Sequence, residues 1–134
     1  RVVNTTSDAN GTITPSTGDN GTAPKVIVTK NVITDGKFLK ITLVPAGTST
    51  DFTVKNAEGV ELKYTVTRTN TKIGSATNTS SKSITTSDAK IMAVPAGTNE
   101  AEAELKFELS TQTGVSAEKA GTYKGTVQFT ASIS

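Results

Sequence analysis

Apolar and polar residues alternate with a period of two along most of this chain, most cleanly near its end. From Tyr123 onward, Tyr123, Val127, Phe129, Ala131 and Ile133 fall on one face, and Lys124, Thr126, Gln128, Thr130 and Ser132 on the other. Extended backbone sends successive side chains to opposite faces, so the pattern predicts a closing strand over 122–134 with one buried and one wet side. Residues 100–110 alternate as well: Ala101, Ala103, Leu105, Phe107 and Leu109 oppose Glu100, Glu102, Glu104, Lys106 and Glu108. A helix fails there, because no 3.6-residue stripe gathers the apolar positions. In 60–68, Val60, Leu62, Tyr64 and Val66 point inward, and Glu61, Lys63, Thr65 and Thr67 outward.

Other segments are strands by residue type. The β-branched run 25–33 carries Val26, Val28 and Val32 on one face, Ile27 and Ile33 on the other. Residues 37–44 place Leu39, Ile41 and Leu43 opposite Phe38 and Val44, and 52–55 and 90–94 are short strands. Gly, Pro and Asn punctuate them at Asp35-Gly36, Asn56-Ala57-Glu58-Gly59 and two copies of Val-Pro-Ala-Gly-Thr, at 44–48 and 94–98. The repeat reads either as a duplicated hairpin corner or as chance reuse of a good turn. Residues 69–88 read as a long polar loop with a short edge strand around 83–85. Residues 1–24 form a polar leader with two turn signals, Asp8-Ala9-Asn10-Gly11 and Asp19-Asn20-Gly21, and by itself would be a flexible tail. Residues 25–134 are then one all-β domain, an antiparallel β-sandwich of immunoglobulin-like type, with at most a helical turn over 116–119.

Composition narrows what such a domain can do. The 134 residues suffice for one core, with 34% hydrophobic and 4% aromatic residues and a net charge of +2. Disorder would pair low hydrophobicity with high charge and no alternation. The small, scattered charge and few aromatics speak against a nucleic-acid footprint. No apolar run approaches the ~20 residues of a membrane-spanning helix. The chain begins with Arg rather than Met, which fits a fragment or a processed form.

Chemistry is sparse. With no His and no Cys, the usual proton shuttle, thiol nucleophiles, thiolate metal sites and disulfides are all missing. Glu100, Glu102, Glu104 and Glu108 share a strand face, which reads as a solvated surface rather than a metal or catalytic cluster. The Asp/Asn-Gly turns lack the later ligands of a calcium loop. Asn4, Asn10, Asn20 and Asn78 head Asn-x-Ser/Thr sequons. We expect no enzymatic activity, no cofactor and no metal.

Before the closing strand stands Ala120-Gly121-Thr122-Tyr123-Lys124-Gly125-Thr126-Val127. This A-G-x-Y-x-G-x-V ending resembles that of chaperone–usher pilins, above all the alpha class of colonisation-factor fimbriae and the common-pilus subunits. The Cys-free, Thr/Ser/Asn-rich composition is similar, and the close likeness covers 120–134. The resemblance implies an immunoglobulin-like fold missing one strand, completed by the N-terminal extension of the next subunit. It further implies a homopolymer, a periplasmic chaperone, an outer-membrane usher and a cell-surface fimbrium serving adhesion. The donor-strand candidates are then Val26, Ile27, Val28, Val32 and Ile33. The acceptor-groove candidates are Tyr123, Val127, Phe129 and Ile133. Two alternatives stay open: the exchanged segment is either 1–24 or 25–33, and 25–33 either is donated to a neighbour or completes its own domain. Outside that family, the chain reads as a stand-alone immunoglobulin-like spacer or binding domain of a surface or phage protein. A carbohydrate-binding module fits less well, with only Tyr64 and Tyr123 to offer a polar-tipped ring.

Overall fold

The structure is a computed structural model and describes residues 7–8, 11–16, 24–31, 33, 35–47, 50–109 and 123–134; for 7–8, 11–16, 30, 31 and 109 it describes the backbone alone. The described residues contain strands and turns and no helix. The strands are β1 (Ser7–Asp8), β2 (Gly11–Ser16), β3 (Lys25–Asn31), β4 (Phe38–Pro45), β5 (Thr53–Lys55) and β6 (Glu61–Ile73). They continue with β7 (Ala76–Asn78), β8 (Lys82–Ile84), β9 (Lys90–Pro95), β10 (Ala101–Leu109) and β11 (Val127–Ile133). All pairings are antiparallel. The larger sheet runs β1-β2-β3-β10-β6-β5, with β7 and β8 also paired to β6; the smaller runs β11-β4-β9.

Alternation decides which side of each sheet is buried. Leu39, Ile41 and Leu43 of β4, and Val127 and Phe129 of β11, join one apolar core with Val26, Val28, Val66, Ala101, Ala103 and Leu105 of the larger sheet. The two antiparallel sheets thus enclose one core, an arrangement consistent with a β-sandwich. Leu62 and Val66 are buried as their period requires, while Tyr64 is half-buried and tilts between Phe52 and Phe107, with ring centroids 5.6 and 6.0 Å away.

Two bulges carry the core past breaks in the alternation. On β6 the register with β10 shifts between Glu104 and Leu105, passing over Thr69. Up to Arg68 the even-numbered residues face inward, and beyond the bulge Thr71 and Ile73 do. On β9 the register with β4 shifts beside Ile91, so that Ile91 and Met92, adjacent in sequence, are both buried. A bulge sets two residues of one strand against one of its partner, which makes this possible.

The loop expected over 69–88 is therefore largely strand. β6 continues to Ile73, turns at Gly74 into β7, and β8 occupies the place foreseen for an edge strand. Polar composition hid the extension. Thr71, Asn70 and Lys72 lie in a central strand, where pairing to β10 and β7 supplies what side-chain hydrophobicity does not. The turn foreseen over 116–119 lies outside the described residues. In the leader, Asp8 and Gly11 are register partners of β1 and β2, and β2 lies along the outer edge of β3.

The repeated corner proves longer than its Val-Pro-Ala-Gly-Thr core. Residues 40–48 and 90–98 agree at seven of nine positions, differing only at Thr42/Met92 and Leu43/Ala93. The two copies form β4 and β9, which are antiparallel neighbours. Each ends in a glycine of positive φ, Gly47 at 71° and Gly97 at 85°. Each corner carries the chain from the smaller sheet into the larger, to β5 on one side of β6 and to β10 on the other. A sharp sheet-to-sheet crossing needs a strand stop and a left-handed residue, which Pro and Gly provide.

Candidate functional site

The donor-strand candidates lie in β3 and just beyond it. β3 pairs with β10 of the same chain, Lys25–Val28 opposite Ala101–Glu104, and Leu105 N–H bonds the Pro24 carbonyl at 2.8 Å. Val26 and Val28 are fully buried. Ile27 is half-buried on the outer face, and Ile33 is half-buried against the core. Val32 lies outside the described residues. Among the described residues, β1 pairs only with β2, and β2 with β1 and β3. Among the described residues, the one ladder between this N-terminal unit and the other strands is that of β3 with β10.

The acceptor-groove candidates lie mainly in the other sheet. β11 pairs with β4 without a register shift, from Val127 opposite Pro45 to Ile133 opposite Leu39. Val127 and Phe129 are buried; Ala131 and Ile133 are half-buried, so the apolar row rises toward the surface at its far end. Tyr123 is half-buried and precedes the strand, which begins at Val127 rather than at the expected 122. The ladder neighbour of β3 is thus β10, not β11. The candidate donor and acceptor residues Val26, Val28, Val127 and Phe129 meet in the shared core rather than across a ladder.

The second glycine of the quoted motif has a physical role. Lys55 and Lys124 exchange two backbone hydrogen bonds of 2.8 Å, tying the β5 rim of the larger sheet to the stretch leading into β11. A Cβ on Gly125 would collide with the Thr53 carbonyl oxygen and press on Val54. Only glycine lets the two backbones approach so closely.

The outer face of the larger sheet carries the glutamates. Lys25 Nζ lies 3.7 Å from Glu102 and 3.6 Å from Glu104, and Lys106 Nζ lies 2.7 Å from Glu108. Asn70 Nδ2 donates to Glu104 at 3.0 Å. The carboxylates are thus paired with lysines on and beside β10 in a partly solvated setting, where each pair contributes about 0–1 kcal/mol. Among the described residues no group of three or more acidic, His or Cys side chains is placed to hold a metal ion. Of the sequon residues, Asn78 is exposed in β7 and its Oδ1 accepts the Ser80 N–H at 2.8 Å; Asn4, Asn10 and Asn20 lie outside the described residues. No helix among the described residues is long and apolar enough to cross a membrane.

Sequence reading missed Arg68. It sits on the inward-facing side of β6, and its Nη1 and Nη2 donate to the carbonyls of Ile91 at 3.0 Å and Ser80 at 3.3 Å. Its Nε is buried without a partner. The signal was present as a cation at the inward position after Leu62, Tyr64 and Val66.

The fold defines a class, an all-β protein of two antiparallel sheets around one core. Comparison with known protein families, characterised sequences and solved structures finds no match to this chain.

Proposed function

We propose that this chain is a structural, non-enzymatic subunit of an extracellular bacterial fibre, built by strand exchange between copies and serving adhesion. The observation that carries the reading is the lodging of β3. Its two fully buried valines plug the core, yet it meets the rest of the domain through a short ladder and one covalent connection. The same contacts form equally well between chains when β3 of one copy enters the place beside β10 of the next, as in exchange of an identical element. In this reading Val26, Ile27, Val28, Val32 and Ile33 form the donated segment. The receiving place is walled by β10 on the ladder side and by Val127 and Phe129 across the core, with Ile133 at its half-open end and Tyr123 beside the β5 rim.

The terminal motif, with its resemblance to chaperone–usher pilins, supports an immunoglobulin-like domain of that kind, with a polar leader over 1–24. A periplasmic chaperone and an outer-membrane usher are the partners such a subunit requires, because an empty strand position exposes apolar surface and unpaired backbone.

The test is deletion of 1–33 followed by electron microscopy, with a synthetic 25–33 peptide added back. Loss of fibres, with the truncated chain capturing the peptide, is expected. Fibres that persist unchanged would sink the reading. A compact monomer of the full chain that never exchanges β3 would favour a stand-alone spacer domain instead.

A further inference from the structure

We propose that Glu102 and Glu104 of β10, steadied by Asn70 of β6, select the strand lodged beside β10 by its charge, favouring the register that sets a cation opposite Glu104. This selection rests on the reading of β3 as the exchanged strand, and adds what decides its register and its partner. The occupant is visible in the fold: β3 fills the place, and Lys25 is its cation.

Three side chains stand in one row across three strands. Lys25 of β3 is the register partner of Glu104, and Glu104 is that of Asn70. Lys25 Nζ lies 3.6 Å from Glu104 Oε1 and 3.7 Å from Glu102 Oε1, while Asn70 Nδ2 donates to Glu104 Oε2 at 3.0 Å. One oxygen of Glu104 therefore faces Lys25 and the other is held by Asn70. The side chains of Lys25, Glu102 and Glu104 are 32, 37 and 28% exposed, so salt screens them less than fully wet charges. Of the other cations on this face, Lys72 stands opposite Glu102 on β6, and Lys106 is engaged with Glu108 at 2.7 Å.

Hydrophobicity alone leaves the register open. Leu105 N–H bonds the Pro24 carbonyl, so Pro24, Val26 and Val28 turn their main-chain groups toward β10. Val26 and Val28 bury their side chains opposite Ala103 and Ala101. A slip of one residue would turn the valines outward, but a slip of two keeps them inside. One such slip sets Val26 opposite Leu105 and Val28 opposite Ala103, two apolar pairs that the core accepts. It also sets Lys25 opposite Lys106, Ile27 opposite Glu104, and Lys30 opposite Ala101 on the buried side. The reverse slip brings Pro24, which has no N–H, opposite Ala103 and carries Val28 past the end of β10 to Asn99. Within one chain the connection to β4 limits such slips, whereas a strand arriving from another copy has no such tether. Opposite charges across a ladder stabilise it and like charges destabilise it. Pairs of this strength fix register and partner more than they add affinity.

The experiment uses full chains carrying Lys25→Glu, Glu102→Lys/Glu104→Lys, or all three substitutions. Hydrogen exchange at the Val26 and Val28 amides reads how firmly β3 is lodged. Lys25→Glu and Glu102→Lys/Glu104→Lys should each open β3 roughly tenfold more often than the parent, the change that ~1.4 kcal/mol represents. The triple variant should recover most of that loss, and the cycle cancels the effect of Glu102→Lys on Lys72. Mixed, the Lys25→Glu and Glu102→Lys/Glu104→Lys chains offer each other a matching strand and place. Fluorescence transfer between labelled copies should then favour the mixture over either variant alone, again roughly tenfold. Folded variants without coupling overturn the selection by charge and leave exchange of β3 standing. Full coupling with no preference in the mixture overturns selection between copies, and no transfer between labelled parent chains overturns exchange itself. Should a reversed variant not fold, Lys25→Met, Glu104→Gln and their combination are read by the same cycle, the second substitution adding little to the first.

Discussion

Single residues in this protein are constrained less by chemistry than by contact. Gly125 stands where the backbone of β5 passes, so Gly125→Ala forces a shift of Thr53 or of the entry to β11. A loss of about 1–3 kcal/mol is expected by urea denaturation, the usual cost of overpacking. Tyr64 is a second case. Burial against Phe52 and Phe107 raises its phenol above the ordinary value of 10.0, because the phenolate would lose solvation. The folded-state pKa lies above the unfolded one, so the contribution is intact below the unfolded value and is lost as pH rises through the folded one. Stability should fall from about pH 10 upward, and Tyr64→Phe should flatten part of that fall in denaturation midpoints taken against pH. Arg68 is a third: its guanidinium binds two carbonyls of other segments, and Arg68→Met leaves the Ile91 carbonyl without its cation. A cost of about 1.5–3 kcal/mol follows from losing hydrogen bonds to a charged group.

At the scale of strands, β4 and β3 differ in how firmly they are held. β4 is central in its sheet, with β11 and β9 on either side, and Leu39, Ile41 and Leu43 are fully buried. Ile41→Ala should therefore cost about 2–5 kcal/mol in equilibrium unfolding, as for other large-to-small changes in a close-packed core. β3 also buries its valines but rests on a short ladder to β10. Local opening of β3 should be easier than global unfolding, so its amides at Val26 and Val28 should exchange hydrogen faster than those of Ile41 and Leu43. Equal protection at both strands would count against exchange of β3 between copies.

Taken whole, the described residues enclose one core between two sheets and carry their charged side chains outside it. Its described ion pairs lie at partly or largely exposed side chains, with Lys55–Glu61 at 3.4 Å and Lys63–Asp51 at 3.2 Å as examples. Screening at 1 M salt shortens the reach of such charges to about 3 Å. The unfolding midpoint should then move little between low and high salt, as followed by circular dichroism.

Much of this was legible in the chain. A period of two placed Leu62, Val66, Ala101, Ala103, Leu105, Val127 and Phe129 in the core, because pleated backbone leaves a side chain only two directions. Turn chemistry located the corners at Gly47 and Gly97, because few residues tolerate a left-handed backbone. The β-branched run holding Val26, Ile27 and Val28 reads as a strand, and it forms β3. Three things were decided only by the tertiary structure. The bulges at Thr69 and Ile91 changed which residues face inward, since a bulge answers to the partner strand and not to the local pattern. The polar run after Arg68 became strand because neighbours on both sides complete its hydrogen bonds. Finally, β3 settled beside β10 while β11 settled beside β4. Alternation states that a strand has a buried face, but which edge it joins depends on contacts between segments far apart in the chain.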